Sequence, residues 1–473
     1  MAKSIDEIAN AVMGMLYQFV GSATAAPGDS GKEPFISWCK PGVPFLEDDF
    51  RFAKFMLNGQ GATEDDRAAD VAFQMTQAAG FSRFVDFVPS VNGIVGGKID
   101  SGGVLRPGSA SLSTIYGHIL EASAVADLPD PPGIAEKVAA IAQKAATLRE
   151  NYSKYSADYQ AANGEYVMAA LKARYSASAK LEFAAKGSAM KSKRDAAWQD
   201  WELLGSKSEY ESLTGQMQSL MSTRKPALWL KEALERYRDL PGGMDATFGE
   251  ARITMPYPGG FASSNRGWTN VDITSSHVDG MTSIKSSKWS ASGGFGWGSL
   301  KLGASAEGST DSKMSVSNTN NFSLKLAIAQ VPLLRNWFDP WYLKSPYWKF
   351  KQGTIEAANN DVVSDGGAPP KGLLVGYPVT AIFIRDVVIG MDELHDESSE
   401  LTKMLKAEGH GGWGFGVINV GGKYERNSTE TKQQHDVSNG KLTIEGLQLA
   451  GFVCEAVGVS PNPKVELAWV GAA

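Results

Sequence analysis

Between Pro132 and Pro226 the chain has no proline, and apolar side chains return at three- and four-residue steps: Ile134, Val138, Ile141, Ala145, Leu148, Tyr152, Tyr155 and Tyr159. That spacing marks one face of an α-helix. It predicts a first helix over 134–185, ~78 Å long at about 1.5 Å per residue. A second helix over 191–221 follows a turn near Gly187 and Ser188, with Gly164 and Gly205 as interruptions. Small residues such as Ala161, Ala162, Ala169 and Ala173 allow the two to pack closely as a long antiparallel hairpin. One more helix runs over 226–238. Upstream, the pattern predicts short helices at 4–20, 47–57, 63–77 and 112–126, joined by loops. The acidic triplets Glu47-Asp48-Asp49 and Glu64-Asp65-Asp66 suit first helical turns, where carboxylates complement the helix dipole. The glycine-rich stretch 93–107 reads as an exposed loop.

After Pro258 the period changes from helical to alternating. From Trp268 to Gln330, 19 residues are Ser or Thr and none is proline. Val271/Ile273, Phe322/Leu324/Leu326/Ile328 and Ala381/Phe383 beside Ile382/Ile384 alternate as antiparallel strands do. A short helix near 392–406 interrupts them.

A motif is written twice in this region. Gly293-Gly294-Phe295-Gly296-Trp297-Gly298 matches Gly411-Gly412-Trp413-Gly414-Phe415-Gly416, 118 residues later. Downstream, Leu300, Leu302, Gly303 and Glu307 align with Ile418, Val420, Gly421 and Glu425, and each copy ends in an apolar strand. Two related β units follow, about 268–330 and 400–455. The expected fold class is therefore α+β and multidomain. A short-helix region spans 1–131, a long amphipathic helical hairpin 132–245, and an antiparallel β-sandwich of two related units 250–473.

Charge narrows the functions. The net charge is −6, and the −7 of residues 1–131 is offset by +4 over 132–240. No stretch is basic enough to hold a phosphate backbone, which argues against a nucleic-acid partner. Two cysteines, Cys39 and Cys454, exclude a disulfide framework. Asp6 and Glu7 stand where a signal peptide would carry positive charge, and no apolar run reaches the ~20 residues of a spanning helix. The expectation is a soluble chain without a convincing signal peptide, released to act on target membranes.

Catalytic patterns are missing. The histidines His118, His277, His395, His410 and His435 form no HExxH, no serine stands in GxSxG, and the repeated motif lacks GxGxxG spacing. No enzyme, cofactor or metal is expected. The strongest ligand cluster, Asp392, His395 and Asp396, reads first as a solvated helix start and second as a metal set.

Two features point toward membranes or glycans. The aromatic run Trp337, Trp341, Tyr342, Tyr347 and Trp348 reads as an internal plug or as a recognition patch for headgroups or sugars. The Ser/Thr-rich segment 268–330 reads as the outer face of a sandwich or as a stored membrane hairpin. In the second reading Phe295, Gly296, Trp297, Gly298 and Leu300 lead, with Trp413 and Phe415 as their counterparts.

In composition and order, residues 132–473 resemble pore-forming toxins, with long helices before a Ser/Thr-rich β region as in insecticidal crystal-type or aerolysin-like toxins. The resemblance implies insertion of a β-hairpin or of long helices, partners among membrane lipids or cell-surface receptors and glycans, and a homo-oligomer on the membrane. The alternative is a non-enzymatic adhesin-like protein, a β-sandwich head on a helical stalk.

Overall fold

A computed structural model describes residues 3–23, 27, 35–58, 67–89, 111–239, 251–283, 298–301, 318–359, 361–367, 370–396, 398–399, 402–403, 405, 413–420, 423–426, 429–432, 435–464 and 466–470. The fold is α+β with antiparallel sheets. Its centre is one sheet, ordered β4 (Met255–Pro256), β8 (Phe322–Leu334), β10 (Gly376–Met391), β16 (Lys441–Ala456), β2 (Phe35–Phe45) and β6 (Gly298–Lys301). Strand β5 (Thr269–Thr274) also lies on β8, and β15 (His435–Ser438) on β16.

The two β units lie on either side of a shared strand. Their closing strands β8 and β16 flank β10 on opposite sides, both antiparallel to it and hence parallel to each other. Phe322, at the start of one closing strand, pairs with Met391, and Leu442, near the start of the other, pairs with Ile389, two residues earlier on β10. The two units thus share one largely antiparallel sheet, and the reason is visible in β10. Ile382 and Ile384 enter one core, Ala381 and Phe383 the other, so both faces of the sheet are buried.

On one face lie helix α1 (Ile5–Ala23), the end of α5 (Ile134–Tyr175) and the hairpin of β11 (Trp413–Phe415) and β12 (Ile418–Val420). On the other, a cluster of phenylalanines joins α2 (Arg51–Asn58), α3 (Arg67–Phe84) and the segment 251–268 to the sheet. Phe50 is its hub, 5.1 Å from Phe45, 4.8 Å from Phe261 and 5.4 Å from Phe383, ring centre to ring centre. From the N-terminal region, β2 is an inner strand of the sheet and α1 a core helix. A two-residue pairing of β1 (Lys3–Ser4) with β7 (Asn318–Thr319) ties the start of α1 to the foot of β8.

A third core joins α4 (Leu112–Glu121), α8 (Pro226–Arg238) and a small sheet of β17 (Trp469–Val470), β3 (Ser123–Ala126) and β9 (Trp348–Phe350). Here the aromatic run is placed. Trp337, Tyr342 and Trp348 are buried, and Tyr342 stacks on Trp348 with ring centres 5.6 Å apart. The recognition-patch reading fails for these three residues, because their rings are spent on the core. Trp341 and Tyr347 are half-buried beside them.

The helical hairpin forms, with a shifted turn. Ser176 ends α5 and opens α6 (Ala177–Leu203), in extended backbone and with its hydroxyl accepting from the Ala179 N–H at 3.4 Å. A serine N-cap satisfies a free helix-end donor as a glycine turn cannot. Gly187 instead stays inside α6, under the Phe183 ring. Gly205 does mark a break, before α7 (Lys207–Met221), whereas Gly164 remains helical. Along the first half of α5, Ile134, Val138, Ile141, Ala145 and Leu148 are the shielded positions, the face that the spacing predicts. Tyr159 packs against Trp198 and Trp201, and Lys193 pairs with Glu165.

Both ends of this hairpin are fastened to the body. At the turn, Tyr175 donates to Gln18 on α1 at 3.2 Å, and Met168 and Leu171 enter the sheet core. At the other end Ile134 is buried, Met221 enters the third core, and the Lys225 N–H donates to Asp130 at 2.8 Å.

Candidate functional site

The sequence directs attention to the two glycine-aromatic motifs, and the structure treats them differently. Phe295, Gly296 and Trp297 lie outside the described residues. The end of that copy, Gly298 to Lys301, forms β6, which pairs in parallel with β2: Ser37 with Gly298, Trp38 with Ser299, Cys39 with Leu300, Lys40 with Lys301. Among the described residues it is the outermost strand of the central sheet and makes the sheet's one parallel pairing. Four residue pairs hold it.

The second copy is built into the core. Trp413 pairs with Val420 and Phe415 with Ile418 across a two-residue turn, in which Gly416 takes a φ of 61° suited to glycine. Phe415 is 2 % exposed and meets Phe322 at 5.6 Å. In this arrangement the Phe415 ring is part of the core between α1 and the sheet. The Gly42 N–H donates to the Val417 carbonyl at 2.9 Å, and Asn419 Nδ2 donates to the Gly42 carbonyl at 2.9 Å, fixing the hairpin to β2. A further hairpin, β13 (Lys423–Arg426) with β14 (Thr429–Lys432), follows.

Upstream of β6, helix α9 (Ser275–Ser283) packs between α1 and α5. Its His277 is 7 % exposed, and Nδ1 accepts from the Thr274 N–H at 3.0 Å. That bond requires the neutral ring, with its proton on Nε2. Burial holds the imidazole below its usual value, the Lys172 ammonium adds to the effect, and Asp272 opposes it. The spacing search found no pattern around His277. A signal existed in its place three residues after Thr274, where a side chain can cap a strand-to-helix turn.

The candidate metal cluster is committed elsewhere. Asp392 accepts from Asn321 Nδ2 at 2.9 Å and 3.2 Å, Asp396 accepts from Ser398, and the His395 ring lies against Gly440. Among the described residues no group of three or more potential ligands is arranged to hold a metal. None of the described helices is long and apolar enough to cross a membrane.

What the arrangement offers is a mechanical site. A short edge strand leads out of a proline-free, Ser/Thr-rich segment, and a buried histidine caps the helix entering that segment. No family model, no curated protein and no solved structure matches the chain.

Proposed function

We propose that this chain is a membrane-active protein of the pore-forming type, and that strands rather than helices enter the membrane. The observation that carries the reading is β6, an edge strand of four residues in parallel pairing with β2, at the end of one glycine-aromatic motif. An edge strand can leave a sheet without breaking any inner ladder, and release of β6 leaves the antiparallel order from β8 to β2 complete. The segment around it is rich in Ser, Thr and Gly, a composition that can line a water-filled barrel while remaining soluble beforehand. Helix insertion is the weaker mechanism, since α5 to α7 are held at both ends and expose many charges. Membrane lipid is the partner in this reading, and assembly into a homo-oligomer closes the strand edges that insertion exposes. The protein would act after release from its producing cell.

The register supplies the test. Leu300 is the partner of the native Cys39, so Leu300→Cys places two thiols opposite each other across β2 and β6. The oxidised variant should release no dye from liposomes, and dithiothreitol should restore the wild-type rate. Equal release in both redox states overturns the strand mechanism. Absence of release by wild type from pH 4 to 9 overturns membrane activity itself and favours a binding protein.

A further inference from the structure

The turn of the helical hairpin concentrates positive charge. From Lys172 to Arg194 the chain carries seven Lys and Arg against one acid, Glu182, although the whole protein has a net charge of −6. Lys172 and Arg174 stand in the last turn of α5, and Lys180, Lys186, Lys191, Lys193 and Arg194 follow in α6. Two of the seven are turned inward. Lys172 is half-buried in the field of Asp272, and Arg194 is buried with its guanidinium over the Tyr166 ring. The other five are exposed.

Helical spacing sorts the exposed lysines of α6 into two rows. Lys180 and Lys191 are separated by close to three whole turns, and Lys186 and Lys193 by close to two. Between the rows lies the outward side of the helix, where Leu181, Ala185, Ser188, Ala189 and Ser192 are exposed. Leu181 is 75 % exposed and gives this neutral strip an apolar contact. Neighbouring acids leave the rows available. Lys186 meets Glu182 at 2.9 Å, Lys191 meets Asp195 at 2.8 Å and Lys193 meets Glu165 at 2.7 Å, yet the three lysine side chains are 62 %, 58 % and 61 % exposed. Ion pairs this open are weak and screened, and a denser array of anions competes for them.

We propose that the outward side of α6 docks on a bilayer surface rich in anionic phospholipid, with its lysines among the headgroup phosphates and Leu181 at the boundary of the acyl chains. The inference rests on the membrane reading above and names its lipid class and its contact face. Charge complementarity carries the choice. An anionic surface repels a chain of net charge −6 overall, and screening beyond ~8 Å lets a local basic face override that repulsion when it leads. Two basic rows flanking one helix meet headgroups on both sides of it, as a basic helix lying in an interface does. At the hairpin turn the Ser276 hydroxyl of α9 donates to the Ser176 hydroxyl at 3.4 Å. Docking α6 therefore brings the entrance of the Ser/Thr-rich segment to the bilayer.

Flotation of the full chain with vesicles of phosphatidylcholine, alone or mixed with phosphatidylserine, tests it. Wild type should float with the anionic vesicles, and added salt should release it. Lys180→Gln combined with Lys191→Gln should weaken the partition about twentyfold, from ~fivefold for each cation removed. Lys144→Gln combined with Lys231→Gln removes two exposed lysines from α5 and α8 and should leave flotation intact. Equal losses for the two double variants, or equal flotation with neutral vesicles, overturn the basic face. Dye release from the same vesicles separates this inference from the strand mechanism. Undiminished release by the Lys180→Gln, Lys191→Gln variant overturns the face and leaves strand insertion standing. Neither flotation nor release with any vesicle overturns the membrane reading and the face together. Retention on a polyglutamate resin without flotation overturns the lipid and assigns the face to an acidic protein.

Discussion

The carboxamide of Gln448 acts as a missing strand for Asn419. Its Oε1 accepts from the Asn419 N–H at 2.8 Å, and its Nε2 donates to the Asn419 carbonyl at 3.0 Å. Both residues are buried, with Gln448 fully enclosed. The pair holds the second glycine-aromatic hairpin on the sheet, and it separates the fate of that copy from the edge position of β6.

Replacing Gln448 by Leu removes both of its hydrogen bonds to the backbone of Asn419. At a net ~0.5–1.5 kcal/mol for each hydrogen bond lost, the variant should lose ~1–3 kcal/mol in urea denaturation. A loss below about 1 kcal/mol would mean that water or another side chain replaces the amide.

Asp339 should prove to be the pin between α8 and the aromatic core. Its carboxylate accepts from the Trp229 indole at 3.0 Å and from Arg236 at 2.9 Å, and the Trp341 N–H donates to it at 3.1 Å. Asp339→Ala strands a buried indole donor and should cost about 2–3 kcal/mol, measured by thermal and urea unfolding. The Arg236 pair adds little, because Arg236 is 45 % exposed and solvent screens it. Asp339→Asn keeps an acceptor and should cost less than the alanine variant.

Acidification should loosen α9 through His277. Its folded imidazole is harder to protonate than an unfolded one, so the unfolded chain takes up the proton first. The contribution is fully present above the unfolded value near 6.5 and is lost as pH falls below it toward the lowered folded value. Protonation also cancels the bond from Thr274. Wild-type stability should therefore fall between pH 7 and pH 5, and His277→Gln should flatten that slope in urea melts at both pH values. An unchanged slope would assign the acid response to other groups.

Two glycines on the hairpin should respond with opposite signs. In α5, a Cβ on Gly164 would stand 2.4 Å from Thr269 Oγ1 on β5 and 3.1 Å from the Phe19 ring. Crowding of about 1–3 kcal/mol outweighs the up to ~1 kcal/mol that alanine gains in helix propensity, so Gly164→Ala should destabilise. In α7, a Cβ on Gly215 meets nothing within 4 Å, and Gly215→Ala should stabilise by about 0.5–1 kcal/mol. Thermal melts of the two variants decide it. Stabilisation by both would show that α5 does not rest on β5.

The legible part of the candidate site was its motif. The glycine-aromatic repeat and the proline-free strands were readable because they depend on local spacing. Which copy would be buried was not, since that depends on Gln448 and Gly42, 29 and 377 positions from Asn419. A clue did exist in Leu447-Gln448-Leu449, a polar side chain within an apolar strand.

The sequence by itself determined several of the elements, though not β2, which lies in the region read as short helices. The three- and four-residue period named the shielded stripe of α5 from Ile134 to Leu148, and alternation named β8, β10 and both apolar faces of β10. These follow from the geometry of a single helix or strand. Tertiary structure decided how they join: the repeats on either side of β10, the hairpin turned at Ser176 and fastened at both ends, and the aromatic run sealed inside the third core. The physical reason is that a period states which face is apolar. Only packing selects the partner that covers it.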